Sequence, residues 1–196
     1  MSAITGDYLL TDDEWEELVW VWKQSDVPKG CRTEIIEGLI TVTHCSANAH
    51  HVIASRIRRA LYSVIPDNWG VYERLALADP THLGLYVPDL CVVPEMDLHA
   101  VDEHFVPAAA AELVVEVTSK ATAGNDRVKK AAGYAQVGIP FYLLIDGLAP
   151  GGPTITLYGE PNGDVYRVLH GGGFGDTVLL PQPFELTLDT SEFPTG

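Results

Sequence analysis

The stretch ELVVEVTSK, residues 112–120, decides how this chain is read. Leu113, Val114, Val115 and Val117 have the composition of a buried strand, and Glu116 falls in the middle of them. A carboxylate in such a place is costly unless it is protonated, paired or bound to a metal. Working outward, a second acid shows the same pattern. Asp89 follows Pro88 at the head of the apolar run YVPDLCVV. The two acids are far enough apart for a strand, a loop and a neighbouring strand. Adjacent strands would bring both carboxylates to one end of a sheet, where each raises the other's pKa unless a cation lies between them. Mg²⁺ suits that place, being a hard ion that takes carboxylate oxygens and keeps several waters; Mn²⁺ is a close substitute. The helix that follows supplies Lys130 in DRVKKAAGY. Two carboxylates, a divalent ion and an ammonium can hydrolyse a phosphodiester. Each residue also has a plain structural reading. Asp89 could cap a turn, Glu116 could pair with a base, and Lys130 could be a surface lysine.

The rest of the chain reads as helix, strands, helix, strands, helix, strands. TDDEWEELVWVWKQ (11–24) opens with a capping box from Thr11 to Glu14 and places Trp15, Leu18, Val19 and Trp22 on one side. RTEIIEGLITVTH (32–44) predicts two short strands turning at Gly38. Residues 47–65 predict a helix through Ile53, Ile57 and Leu61 that ends before Pro66. Strands are expected at about 70–78, 89–94 and 112–118. A long helix is expected over 122–138, capped by Thr122 and closed at Gly138. A buried strand over 139–147 follows, and 154–188 reads as a hairpin plus an edge strand. This order fits one mixed sheet flanked by helices, an α/β (α+β) fold.

Composition narrows the function. The 196 residues carry a net charge of −15, which opposes non-specific contact with phosphates. That charge is segregated. The first 37 residues hold nine acids against three bases, whereas Arg56, Arg58 and Arg59, and Lys120, Arg127, Lys129 and Lys130, form basic groups. Cys31, Cys45 and Cys91 are an odd number without a C-x-x-C pair. With no basic leader before an apolar run and no long apolar span, they suggest reduced thiols and a cytoplasmic location without membrane contact.

Several motifs together resemble the Uma2 (DUF820) family of restriction endonuclease-like proteins. They are Pro88-Asp89, Glu116 with Ser119, Asp126, Lys130 and Tyr134 on one helix, then Gly138-Ile139-Pro140, Tyr142 and Asp146. Upstream, TEIIEGLI and AHHVIASRI are similar to further family segments. The resemblance implies a restriction endonuclease-like fold of the PD-(D/E)xK superfamily over 1–196, with 1–30 as an N-terminal helical extension. It implies Asp89 and Glu116 as metal ligands and Glu34 as a further acid of the site. The usual motif places a lysine two residues after the strand acid, but Thr118 stands there. The family pattern instead suggests Lys130 on the helix. The resemblance also implies a metal-dependent endonuclease acting on DNA. Cutting both strands requires two sites, so a homodimer is expected. The alternative is a nuclease fold without activity that serves as an interaction or nucleic-acid-binding module. His50 could contact phosphate or the acidic cluster, or be an ordinary helix histidine. Tyr134 and Tyr142 read as core aromatics.

Overall fold

The computed structural model describes residues 12–44, 48–99 and 104–194. Thr11, expected to cap the first helix, and Cys45 lie outside them.

Strand β1 (Arg32–Ile36) turns into β2 (Leu39–Thr43) through Glu37 and Gly38, both with positive φ, 52° and 73°. Two such residues make the tight turn whose twist matches a hairpin, and glycine adopts it without strain. With β4 (Ala76–Asp79), β5 (Gly84–Tyr86) and β7 (Phe105–Pro107), the hairpin forms a five-stranded sheet ordered β2-β1-β5-β4-β7. Helix α1 (Asp12–Gln24) docks on this sheet as its periodicity predicts. Val19, Trp15, Leu18 and Trp22 pack on Ile35, Ala76, Leu85 and Val87, and the Trp22 indole N–H donates to the Thr33 carbonyl at 2.8 Å.

The central sheet has six strands. They are β3 (Trp69–Tyr72), β6 (Leu90–Pro94), β8 (Leu113–Val117), β9 (Phe141–Asp146), β10 (Thr154–Asn162) and β11 (Val165–Gly173). Their order is β11-β10-β9-β8-β6-β3, with β8 and β9 parallel and the other pairs antiparallel. Side chains alternate across it. Val115, Val117, Leu143 and Ile145 face α2 (Asn48–Tyr62), which buries Ile53, Ile57 and Leu61 against them. Val114, Tyr142 and Leu144 face the other way, toward Tyr134 and Ile139. By parity Glu116 shares that second face with Val114. A hairpin of β12 (Thr177–Leu180) and β13 (Leu186–Asp189) closes the α2 side with Val178, Leu180 and Leu186.

The structure revises three expectations. The strand expected over 70–78 is two strands in different sheets. Arg74, at φ 56°, makes the left-handed bend between them. The expected single sheet is joined by the five-stranded one because the three-residue strands β5 and β7 are too short to carry a period. The long helix over 122–138 instead begins with a π-helical stretch, Asn125–Lys130, and continues as α3 (Ala131–Gln136). Its start is held by a reciprocal pair: Ser119 Oγ accepts from the Thr122 N–H at 3.3 Å, and Thr122 Oγ1 accepts from the Ser119 N–H at 3.0 Å. Ser119 therefore takes the capping role expected of Thr122.

Candidate active site

The antiparallel register of β6 and β8 pairs Leu90 with Val115, so Asp89 is carried opposite Glu116. Both carboxyls are buried on the face covered by the π stretch and α3. Glu34 enters the same space from β1, with Arg32 two residues earlier on the same face of that strand. Lys130 comes from the end of the π stretch and is only 1% exposed. The structure thus brings Asp89, Glu116, Lys130 and Glu34 together, and the surface-lysine reading of Lys130 does not hold.

Each acid divides its two oxygens between partners. Asp89 Oδ2 accepts the Val117 N–H at 2.8 Å and lies 2.8 Å from His50 Nε2. Asp89 Oδ1 meets Arg32 Nη1 at 2.8 Å. Glu116 Oε1 accepts the Tyr134 hydroxyl at 2.7 Å and lies 2.6 Å from Lys130 Nζ. Among the described residues Glu116 Oε2 has no hydrogen-bond partner, and it lies 3.7 Å from Arg32 Nη2. Glu34 Oε1 accepts the Val87 N–H at 2.8 Å and lies 2.8 Å from Lys130 Nζ. The Lys130 contacts are close ion pairs without hydrogen-bond alignment, as is the His50–Asp89 contact. Asp126 is also buried, one turn before Lys130 at 3.6 Å, and not on an exposed helix face. Tyr142 donates to the Asp126 carbonyl at 2.8 Å and fixes that turn against β9.

Four buried carboxyls (Glu34, Asp89, Glu116 and Asp126) face two fixed cations, Arg32 and Lys130. The cluster lacks two positive charges, which protons or a divalent ion can supply. Burial pushes the Glu116 carboxyl up to about 8; Asp126 and Asp89 add to that, while Lys130 and Arg32 oppose it. Burial also raises Asp126, against the pull of Lys130. Asp89 behaves differently. Burial would raise it, but His50, Arg32 and the Val117 N–H together hold it below the usual carboxylate range. Burial would lower Lys130, yet Glu116 and Glu34 keep it above its ordinary value and charged.

The donor set fits a hard divalent ion. Among the described residues Glu116 Oε2 is buried without a hydrogen bond, and Asp89 Oδ1 is held by Arg32 alone at 2.8 Å. Among the described residues no three His, Cys, Asp or Glu side chains form a ready-made metal cluster. Mg²⁺ does not need one, because it is commonly held by one or two carboxylates with water and phosphate filling its shell.

Two cavities border residues that touch the cluster. One cavity of about 420 Å³ is lined by His50, Ile53, Val117, Ser119, Lys120 and Phe174, so the His50 ring lies between it and Asp89. A second, of about 300 Å³, is lined by Arg32 together with Trp22, Cys31 and Val87. A further clasp borders the first opening. Arg127 holds Asp146 in a two-point pair at 2.7 and 2.9 Å, and Asp146 Oδ1 also accepts from Thr118 Oγ1 at 3.0 Å.

The family model described as "Uma2: Putative restriction endonuclease" matches residues 15–191. The chain belongs to the Uma2 family. Among solved structures, this Uma2 chain is similar to one described as a putative nuclease belonging to DUF820 from Anabaena variabilis. The two are 18% identical with a TM-score of 0.67, over 88% of this chain and 94% of the other. That likeness carries the fold, a restriction endonuclease-like arrangement of mixed sheet and helices. No curated protein matches.

Sequence reasoning passed over Arg32 and read Tyr134 as a core aromatic without its hydrogen bond to Glu116. Tyr134 lies four residues after Lys130, a spacing that puts both on one helical face. Arg32 stands two residues before Glu34 on a strand, which puts both on one sheet face. These spacings were the available signals.

Proposed function

We propose that this Uma2 chain is a metal-dependent endonuclease that hydrolyses phosphodiester bonds of DNA, with Mg²⁺ or Mn²⁺ as its ion. One observation carries the reading: Asp89 and Glu116 each turn one oxygen to the same cation, the Arg32 guanidinium, at 2.8 and 3.7 Å, beside a fully buried lysine. Asp89 Oδ1 and Glu116 Oε2 would hold the ion. When bound, such an ion neutralises charge and polarises the phosphodiester as a Lewis acid. The chain's own groups do the rest. The Val117 N–H and His50 fix Asp89 so that its other oxygen points inward. Tyr134 and Lys130 fix Glu116 in the same way. Lys130 places a permanent positive charge next to the site, where it offsets negative charge building on the phosphate. Glu34 holds Lys130 from the other side. The strand to be cut approaches through the cavity by His50, with Lys120 at its margin.

Cleavage of both strands of a duplex calls for two copies related by a two-fold axis. The outer face of α1 exposes Trp20 (64%) and Val21 among charged neighbours, an apolar anchor for that contact. Sedimentation should show a dimer that Trp20→Glu converts to monomer.

The deciding experiment is cleavage of supercoiled plasmid with and without Mg²⁺ or Mn²⁺. Cutting should require the ion and disappear in Asp89→Asn and Glu116→Gln. Cutting that survives both substitutions would overturn the proposal. A second reading draws on the Arg32 guanidinium bridging the two acids. An arginine fixed there would leave a nuclease fold that binds nucleic acid without cutting it, and the same assay would then show retardation without nicking.

A further inference from the structure

The Arg32 guanidinium spans the two oxygens that a metal would use. Nη1 is 2.8 Å from Asp89 Oδ1, and Nη2 is 3.7 Å from Glu116 Oε2. Nε reaches Thr43 Oγ1 at 3.2 Å and lies 3.5 Å from Glu34 Oε2. These are the oxygens left over by Val117, His50, Tyr134 and Lys130, so the other partners leave room for one cation, and the guanidinium fills it. A guanidinium suits two carboxylates because its nitrogens form a rigid planar fork. Its two arms are unequal here. The Asp89 arm is at full hydrogen-bond contact, while the Glu116 arm is about half an ångström too long for one. The grip is therefore one-sided, and the Glu116 end can open first.

We propose that Arg32 is a resident cation occupying the metal position, and that a divalent ion binds by displacing its guanidinium into the neighbouring cavity. This rests on the metal reading above and deepens it, because it names the residue that sets metal affinity. Two observations make the exchange physically reasonable. The cavity of about 300 Å³ beside Arg32 has room for a side chain; Trp22 and Thr33 line it, and Arg74 and His104 lie at the same cavity. The cluster is also short of positive charge even with Arg32 in place, so a divalent ion adds attraction that a single positive charge lacks. Two carboxylates without any cation between them repel one another, and Arg32 spares the metal-free protein that repulsion. Arg32 thus holds the site in shape and at the same time raises the metal concentration needed to fill it.

The test measures metal binding and leaves activity aside. Mn²⁺ binding is followed by loss of the free-ion electron paramagnetic resonance signal for the native chain, Arg32→Gln and Arg32→Lys. Removing the competitor should tighten binding roughly tenfold in Arg32→Gln, the scale on which neighbours of metal ligands act. Arg32→Lys, which cannot span both acids, should lie between. Equal or weaker binding in folded Arg32→Gln would overturn the proposal. The native chain gives an independent measure that needs no variant. Modification of Arg32 by phenylglyoxal, mapped by mass spectrometry, should be slow without metal and several-fold faster with saturating Mn²⁺. An unchanged rate in a chain that binds Mn²⁺ would show that Arg32 stays put and would leave the metal reading intact. Absence of Mn²⁺ binding in every form would remove both.

Discussion

Lys130 Nζ lies 2.6 Å from Glu116 Oε1, and both side chains are closed off from water. Charges placed this way depend on each other. Removal of Lys130 takes the shared cation from both Glu116 and Glu34, whereas removal of Glu116 leaves Lys130 with Glu34 at 2.8 Å.

Lys130→Met should therefore lower stability by about 3–5 kcal/mol, the cost of leaving a buried charge unpaired. Adding Glu116→Gln should recover part of that loss rather than add to it, because the carboxyl that faced the lost ammonium is removed as well. Urea denaturation of the two single variants and the double variant checks this. Simple addition of the single effects would show that the pair is not coupled.

Asp89→Asn keeps the side chain's shape but removes the charge that faces Arg32 and His50. Mg²⁺ should raise the Tm of the native chain, since an ion bound only by the folded form stabilises it. The same titration should leave Asp89→Asn flat. A response of equal size in both proteins would place the ion elsewhere.

Tyr134→Phe deletes the hydroxyl that donates to Glu116 Oε1 at 2.7 Å. Lys130 remains against that oxygen, so the loss should be about 1 kcal/mol, typical of one buried hydrogen bond. The phenol is held protonated by its burial and by the Glu116 charge, so its donor role should persist to high pH. A loss near zero in chemical denaturation would show that Lys130 alone satisfies the carboxylate.

The two acids give opposite pH trends. Burial raises Glu116 from 4.5 to about 8, so between those values the folded chain holds a proton that the unfolded chain lacks. Its stabilising contribution is present below the lower value and fades as pH rises toward 8. Asp89 is depressed despite its burial, through His50, Arg32 and the Val117 N–H. Its contribution is present above the ordinary carboxylate pKa and is lost as pH falls below it. Metal-free stability should therefore decline from mildly acidic to mildly alkaline pH. Stabilisation by Mg²⁺, which competes with the Glu116 proton, should grow over the same range. Denaturation curves from about pH 5 to about pH 9, with and without Mg²⁺, measure both trends.

The strand acids were legible because period-two patterning exposes an acid among valines, and because Pro88-Asp89 and Glu116 fall into the family's motifs. The geometry that joins them was not. Arg32 meets Asp89 across 57 positions and Glu34 meets Val87 across 53, and no local pattern reports contacts at that range. In the sequence Arg32 is one base among the acids of the first 37 residues. The π stretch left no mark either, since Asn125–Lys130 has an ordinary helical composition. The contacts it makes are tertiary: Tyr142 on β9 donates to the Asp126 carbonyl, and Lys130 pairs with Glu34 on β1.

That stretch has a consequence for how the chain can change. A π turn contains one residue more than an α turn accommodates. Deleting Val128, the one uncharged residue between Asp126 and Lys130, would remove that extra residue and let the segment wind as ordinary helix. Asp126 and Lys130 would then stand three residues apart, still on one helical face. The loss of a single codon would thus erase the π turn while every acid and base of the cluster remained encoded.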